Sequence, residues 1–420
     1  MKRTVKSQKR TKFLLVLIVL TAILSITATY AWFSMQRDVE IVGMRLNVEV
    51  AESMQISLDG ETWVQSISIA DMRQFYGSYT GTQDGFTIYQ APTITKGNAN
   101  YVPTELKPVS SAGQQAAGRL QFVTGDITAN GLESITLCTE TDLAGTTAIG
   151  TRQDNNNKHP YLTFDMYLRN ISKKTGSQVD ILKLNAGSNV YINTDTTDDT
   201  QTEGKGVANT GLEYSARVGF IVYGNTVSTS ATDTTTTVDP DGEGGEDPVT
   251  TTLTVGDQVR ALAATGTEVP AIWEPNSKNH TAYVVTNDSR VATATSEVTT
   301  YAIKKEAAAS TEKKITNPNA TSAKLTVEGS ETEVLEAVNT FKPEYDANGV
   351  KTATEITNIG GTDKLSLKPN TMSKVRVYVW LEGQDPDCVD LASTGDKLNI
   401  TIKLTKDQTT DGAGLPSYAS

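Results

Sequence analysis

Cysteine, histidine and basic charge are all scarce in this chain of 420 residues, and each scarcity excludes something. Two cysteines, Cys138 and Cys388, are too few for a disulfide-dense scaffold. No CxxC pair or Cys/His cluster has zinc-ligand spacing. Of the two histidines, His159 sits in the polar run 154–160 and His280 shortly after Ile272-Trp273-Glu274-Pro275-Asn276. Neither stands in a nucleophile elbow, a metal pair or a triad-like setting, so both read as surface-loop histidines and no catalytic residue is assigned. Lysine and arginine number 37 against 49 acidic residues, a net charge of -12. That balance argues against nucleic acid or an anionic bilayer as a partner, since both require a basic patch. Helix-period patterns are scarce as well.

What basic charge there is concentrates at the N-terminus. Lys2, Arg3, Lys6, Lys9, Arg10 and Lys12, with no acid among them, run into an apolar stretch from Phe13 to Ile26. A basic head before an apolar body reads as an export signal, here a hydrophobic signal helix. Thr29-Tyr30-Ala31 supplies small residues for a signal peptidase, placing the cut between Ala31 and Trp32. The alternative is an uncleaved anchor over 13–33, long enough to cross a bilayer. Under either, the cations stay inside and the rest faces outward. Removal of residues 1–31 leaves 31 basic against 49 acidic side chains, a net charge near -18. Membrane contact is expected only through 13–33.

Residues 32–420 alternate at the period of strands. In Met44-Arg45-Leu46-Asn47-Val48-Glu49-Val50 the apolar residues share one face, with a phase slip at Val42-Gly43 that predicts a bulge. The same alternation runs through Leu162–Leu168, Ala216–Val222, Val375–Leu381 and Leu398–Leu404. Asp59-Gly60 between Met54–Leu58 and Trp63 predicts a hairpin. One-sided strands need a second layer, so the expected fold is all-β: an antiparallel β-sandwich or jelly roll. Two short helices are predicted, Ile69–Tyr76 and Thr332–Phe341. Two long insertions interrupt the sandwich, at about 225–268 and 286–330. Val227–Thr252 is polar enough to read as a mobile surface loop, and 286–330 as an added hairpin.

Candidate sites are sparse. Cys138 and Cys388 either pair, closing a long loop on the exported side, or remain two buried thiols. Asp195–Asp199 and Asp239-x-Asp241-Gly242 read as solvated loops rather than calcium sites. Glu382, Asp385 and Asp387 cluster directly after a strand. They suit a turn held by side chain to backbone hydrogen bonds, with a glycosidase acid and a calcium pair at Asp385 and Asp387 as lesser readings. No cofactor is implied.

The junction Thr29-Tyr30-Ala31-Trp32-Phe33-Ser34 resembles the export signals of Gram-positive secreted proteins of the TasA and camelysin type, processed by a dedicated signal peptidase. Tyr161–Asn170, Ile272–Asn276 and Trp380–Cys388 resemble segments of clostridial-type surface proteins with the same signal. The resemblance covers the signal and about a third of the mature chain. It implies a jelly-roll β protein of the surface or biofilm matrix, in some members fibre-forming. Peptidase activity described for camelysin does not carry over, because there is no HExxH.

Two functions are therefore weighed against an enzyme. In the first, a surface or matrix protein assembles with itself or with other surface proteins by lending the strand at 37–50 to a neighbour, with Met44, Leu46, Val48 and Val50 filling pockets. The bland alternative is that this strand pairs at home. In the second, a monomeric adhesin or glycan-binding module uses outward Tyr378 and Trp380, unless the helix Thr332–Phe341 covers them.

Overall fold

The computed structural model describes residues 41–51, 54–78, 106, 108–115, 120–128, 131–138, 161–170, 179–192, 211–225, 234–238, 249–253, 259, 262, 265, 267–288, 290–303, 315–316, 326–327, 335–388 and 396–406. The signal, its Ala31/Trp32 junction, His159 and both acidic loops lie outside them.

Among the described residues, twenty-one strands and three helices succeed one another along the chain. The first strands are β1 (Ile41–Val50), β2 (Met54–Ser57) and β3 (Ser66–Ser68), then helix α1 (Ile69–Ser78). Next come β4 (Ser110–Gln115), β5 (Leu120–Thr128), β6 (Gly131–Cys138), β7 (Leu162–Asn170), β8 (Asp180–Leu184) and β9 (Asn189–Ile192). The short α2 (Leu212–Ser215) leads into β10 (Ala216–Asn225), β11 (Thr234–Val238), β12 (Val249–Leu253) and β13 (Ala271–Trp273). After α3 (Ala282–Asn287) come β14 (Tyr301–Ile303), β15 (Ile315–Thr316), β16 (Thr326–Val327) and β17 (Leu335–Ala337). The last are β18 (Thr354–Glu355), β19 (Ser366–Leu367), β20 (Thr371–Leu381) and β21 (Asp396–Lys406).

Two sheets carry the fold. One has the order β18-β8-β21-β1-β3, with β19 and β9 pairing at its side; the other runs β13-β10-β20-β7-β2. They bury a common core that draws Leu46, Val48, Leu398, Ile400, Ile402 and Leu404 from the first sheet. Phe164, Met166, Val218, Phe220, Val375, Val377 and Val379 come from the second. The alternation that predicts a one-sided strand holds for the inward positions, because period-2 side chains share a face. Pairing is not wholly antiparallel: β1 runs parallel to β21, from Ile41↔Asp396 to Val50↔Leu404, with the bulge at Ile41/Gly43 where the phase slips. On its other side β1 pairs antiparallel with β3 of the same chain.

A third layer was not visible in the sequence. β4, β5 and β6 form a three-stranded sheet, and Val109, Leu120 and Phe122 pack with Tyr161, Ile221, Tyr223, Ile272, Tyr378 and Trp380 in a second core. Every residue of β20 is consequently buried. Phe122 stacks on Tyr161 at 4.2 Å between ring centroids and meets Trp380 edge-on at 5.1 Å, the offset and edge geometries that aromatic quadrupoles favour. The layer sits close: a Cβ at Gly219 would lie 2.6 Å from Leu120 Cδ1.

The helix predicted at Ile69–Tyr76 is present as α1, and Asp71 bonds back to Ser68 to cap it. The helix predicted at Thr332–Phe341 is not. Leu335–Ala337 is a strand against Tyr301–Ile303, and Phe341 exchanges backbone hydrogen bonds with Ile272 and Glu274. Tertiary pairing has overridden a helical spacing of four apolar residues. The Asp59-Gly60 turn is built as expected: Ile56 pairs with Val64, and Asp59 accepts from the Glu61 and Thr62 amides.

Both insertions contain more order than predicted. Thr234–Val238 and Val249–Leu253 pair antiparallel, so the threonine-rich run read as a mobile loop supplies a hairpin; β-branched threonine suits a strand. Ile315–Thr316 and Thr326–Val327 form a second antiparallel pair. However, Val291 is buried in the central core, so the segment from 286 is not merely appended.

Candidate functional site

The carboxylates that follow β20 converge with residues from several other segments at one end of the sandwich. Strand pairing sets Arg217 of β10 opposite Trp380, which brings its guanidinium to Asp385 Oδ2 at 2.5 Å and to Glu274 at 3.3 Å. Glu274, just past β13, also accepts from the Thr300 and Thr340 hydroxyls at 2.5 and 2.6 Å. Glu382 accepts from the Ser111 amide and the Trp380 indole, both at 3.1 Å, tying β4 to the end of β20. His280 Nδ1 meets Asp387 Oδ2 at 2.6 Å while Nε2 meets the Ser296 carbonyl. Asp387 also accepts from the Thr281 amide, at the start of α3. Gly211, with φ of +97°, passes so close that a Cβ there would sit 2.6 Å from Thr281.

Burial sets the electrostatics. It pushes Glu382 up to about 7, because the hydrogen bonds from Ser111 and Trp380 and the charge of Arg217 only partly offset its desolvation. Burial also lifts Asp385 to about 6, with Asp387 and Glu274 adding to the rise and Arg217 opposing it. Glu274 goes the other way: burial is outweighed by Arg217 and by the two threonine hydroxyls. For His280, burial is outweighed by the hydrogen bond and charge of Asp387, so its pKa is raised.

Among the sequence-predicted residues, Asp385 and Asp387 do come together, but as acceptors. Asp385 Oδ1 takes the Asp387 amide and Oδ2 takes Arg217; both Asp387 oxygens are likewise engaged. No group of three His, Cys, Asp or Glu side chains suited to a metal ion occurs among the described residues. The acidic run is a turn held by its own hydrogen bonds, Gln384 N to Glu382 and Asp385 N to Glu382 O among them.

Three expectations are corrected. His280 is no surface-loop residue: it is 9% exposed and clamped at both ring nitrogens. Nothing near it in sequence signalled this, because its partner lies 107 positions away. Tyr378 and Trp380 are fully buried, covered by the β4–β6 layer rather than by a helix. Cys388 is a buried free thiol, its pKa raised by burial, so the disulfide with Cys138 is not made. Of the strand-donor residues, Leu46 and Val48 are 1% exposed, Val50 packs against the core, and Met44 pairs through its backbone with Leu398.

The pocket bounded by Arg217, Glu274, His280, Gln384 and Asp387 is narrow, with space for about one water molecule. A sugar ring or peptide does not fit, and Glu382 is 2% exposed. The cluster fastens these segments together. No helix among the described residues is long and apolar enough to cross a membrane. No family model, curated protein or solved structure matches the chain.

Proposed function

We propose that this is an exported structural protein of the cell surface or extracellular matrix, without catalytic activity, able to associate with itself through its first strand. The reading includes a jelly-roll connectivity and either a cleaved signal ending at Ala31 or an anchor at 13–33. The basic head and apolar run at residues 2–26 support export. The observation that carries self-association is the place of β1, which lies between β21 and β3 with Leu46 and Val48 in the core. A sheet without β1 has an open slot of fixed register, which the same strand of another chain fills with identical hydrogen bonds.

The test compares residues 32–420 with a chain beginning at Ala51, by sedimentation and negative-stain electron microscopy, and adds a peptide of residues 37–50 to the shorter chain. Fibres or oligomers formed only by the longer chain, with the peptide binding the shorter one in equal numbers, support the proposal. A longer chain that stays monomeric at all concentrations sinks it. The adhesin reading loses its principal residues, because Tyr378 and Trp380 are covered.

A further inference from the structure

At one edge of the central core, three polar residues continue the phase of strand positions that are otherwise apolar. Lys406 ends β21, Asn170 ends β7 and Asp180 begins β8. Lys406 and Asp180 belong to one sheet and Asn170 to the facing one, so the group bridges the sandwich. Lys406 Nζ lies 2.7 Å from Asn170 Oδ1 and 3.5 Å from Asp180 Oδ2. Asn170 Nδ2 donates to Asp180 Oδ2 and to the Lys368 carbonyl, both at 2.9 Å. These two bonds orient the carboxamide so that its oxygen, and the carbon one bond behind it, face the amine.

All three are buried: Asn170 is fully covered, Asp180 is 1% exposed and Lys406 8%. Leu182 lies opposite Lys406, Leu367 opposite Asp180 and Met54 opposite Asn170, whose other strand partner is Thr371. An ammonium and a carboxylate are costly to hold in such a place, whereas a neutral amide hydrogen-bonded to a neutral acid is not.

We infer that Lys406 and Asn170 join in an intramolecular isopeptide bond, formed by the folded chain itself with Asp180 as the proton carrier. The reaction starts with one proton passing from the Lys406 ammonium to Asp180, which leaves a neutral amine and a carboxylic acid. The amine lone pair attacks Asn170 Cγ while Asp180 hydrogen-bonds the carboxamide and steadies the charge that develops there. Nζ then gives up a proton, which Asp180 relays to Nδ2. The Cγ–Nδ2 bond breaks, its electron pair departs with ammonia, and the carbonyl reforms as the amide Cγ–Nζ. Atoms balance with no oxidant, cofactor or added energy source: amine plus carboxamide gives a secondary amide plus ammonia, and Asp180 retains the proton it first received. Fixed contact of the reacting groups in a water-poor site supplies the rate, as in other pre-oriented intramolecular reactions.

The bond would span 236 residues of chain and tie the last strand to the opposite sheet. It requires no partner and does not depend on where the protein resides.

Tryptic digestion of the purified full chain tests it. Cleavage after Arg169 and Lys403 releases peptides beginning at Asn170 and Leu404. The expected result is a single branched species joining the two, one ammonia lighter than their sum, with Lys406 resistant to trypsin. Asp180→Asn, close to isosteric, is expected to give two separate peptides of unmodified mass. Lys406→Arg removes the amine nucleophile and is expected to do the same. Separate, unmodified peptides from the folded wild-type chain overturn the proposal. A species joining the Leu404 peptide to the peptide of residues 175–183, one water lighter than their sum, overturns the choice of Asn170, because it places the amide on Asp180. A joined species that persists in Asp180→Asn overturns the role given to Asp180.

Discussion

On the inner face of the five-stranded sheet, Val375, Val377, Val379 and Leu381 of β20 share a core with aliphatic side chains of the facing sheet such as Leu46, Val48, Ile400 and Ile402. On the outer face of the same strand, Lys374, Arg376, Tyr378 and Trp380 are just as dry. The inner face needs only shape and hydrophobicity. The outer face needs partners. Arg376 holds Asp165 at 2.7 Å, with Lys374 at 3.5 Å from the same carboxylate, and Arg376 lies 4.9 Å from the centre of the Tyr223 ring. A buried charged face is thus conditional: it is stable while each charge is matched and costly once one is removed.

The sharpest way to break this symmetry is Asp165→Ala, which leaves two cations buried without their carboxylate. It should cost about 4 kcal/mol in urea unfolding. Replacing both Asp165 and Arg376 by apolar residues of similar size should recover most of that loss. Next comes Phe122→Ala, which unroofs only the outer face. A loss of about 3 kcal/mol is expected, together with a red shift of tryptophan fluorescence from Trp380, while the inner core keeps its protection from hydrogen exchange.

The two charged clusters, at Asp165 and at Arg217, should also part company with pH. Asp165 has a lowered pKa in spite of its burial, because Arg376 and Lys374 outweigh it. Its contribution is present above its ordinary value of 3.8 and is lost as pH falls through the folded value. At the Arg217 end the sign reverses. Glu382, raised from 4.5 to about 7, binds its proton more tightly when folded, so that contribution is present below 4.5 and is lost as pH rises through about 7. His280, raised above 6.5, acts in the same direction at higher pH. Glu382→Gln should flatten the decline between about pH 5 and 7 by on the order of 2 kcal/mol, read from urea midpoints across pH. A slope left intact would sink this assignment.

Two smaller changes sharpen the comparison further. Gly219→Ala pushes a methyl group against buried Leu120 and should cost about 1 kcal/mol. Val350→Ser, at a site 60% exposed and outside both cores, should stay within about 0.5 kcal/mol. A larger effect there would mean that the region around Tyr345 and Val350 is covered in solution.

Alternation made the inward strands legible, since residues 162–168, 216–222, 375–381 and 398–404 repeat apolar side chains at every second position. It could not say whether the other face was wet. The cover comes from β4–β6, and Ser110–Gln115 reads SSAGQQ, with no apolar signal to announce a strand. Only Leu120-Gln121-Phe122 hinted at one. The Arg217 cluster was half visible, as a run of acids after β20, but its cations come from positions 217 and 280 and converge only through pairing. The Lys406 group did leave a trace. Lys406, Asn170 and Asp180 each continue the inward phase of a strand: 398 to 404, 162 to 168 and 182 to 184. A polar residue in phase with a buried face, at three strand ends, is a pattern that a search for apolar alternation passes over.

The parallel pairing of β1 with β21 has a mechanical consequence. The first strand enters at Ile41 beside Asp396, and the last leaves at Lys406 two residues beyond the Val50↔Leu404 pair. Tension between the segment before Ile41 and the segment after Lys406 pulls the two strands lengthwise past each other. The hydrogen bonds between them then share the load at once, where a hairpin pulled from its open end would release them one at a time. A chain held by its two ends would be stiffest along the line in which it is pulled.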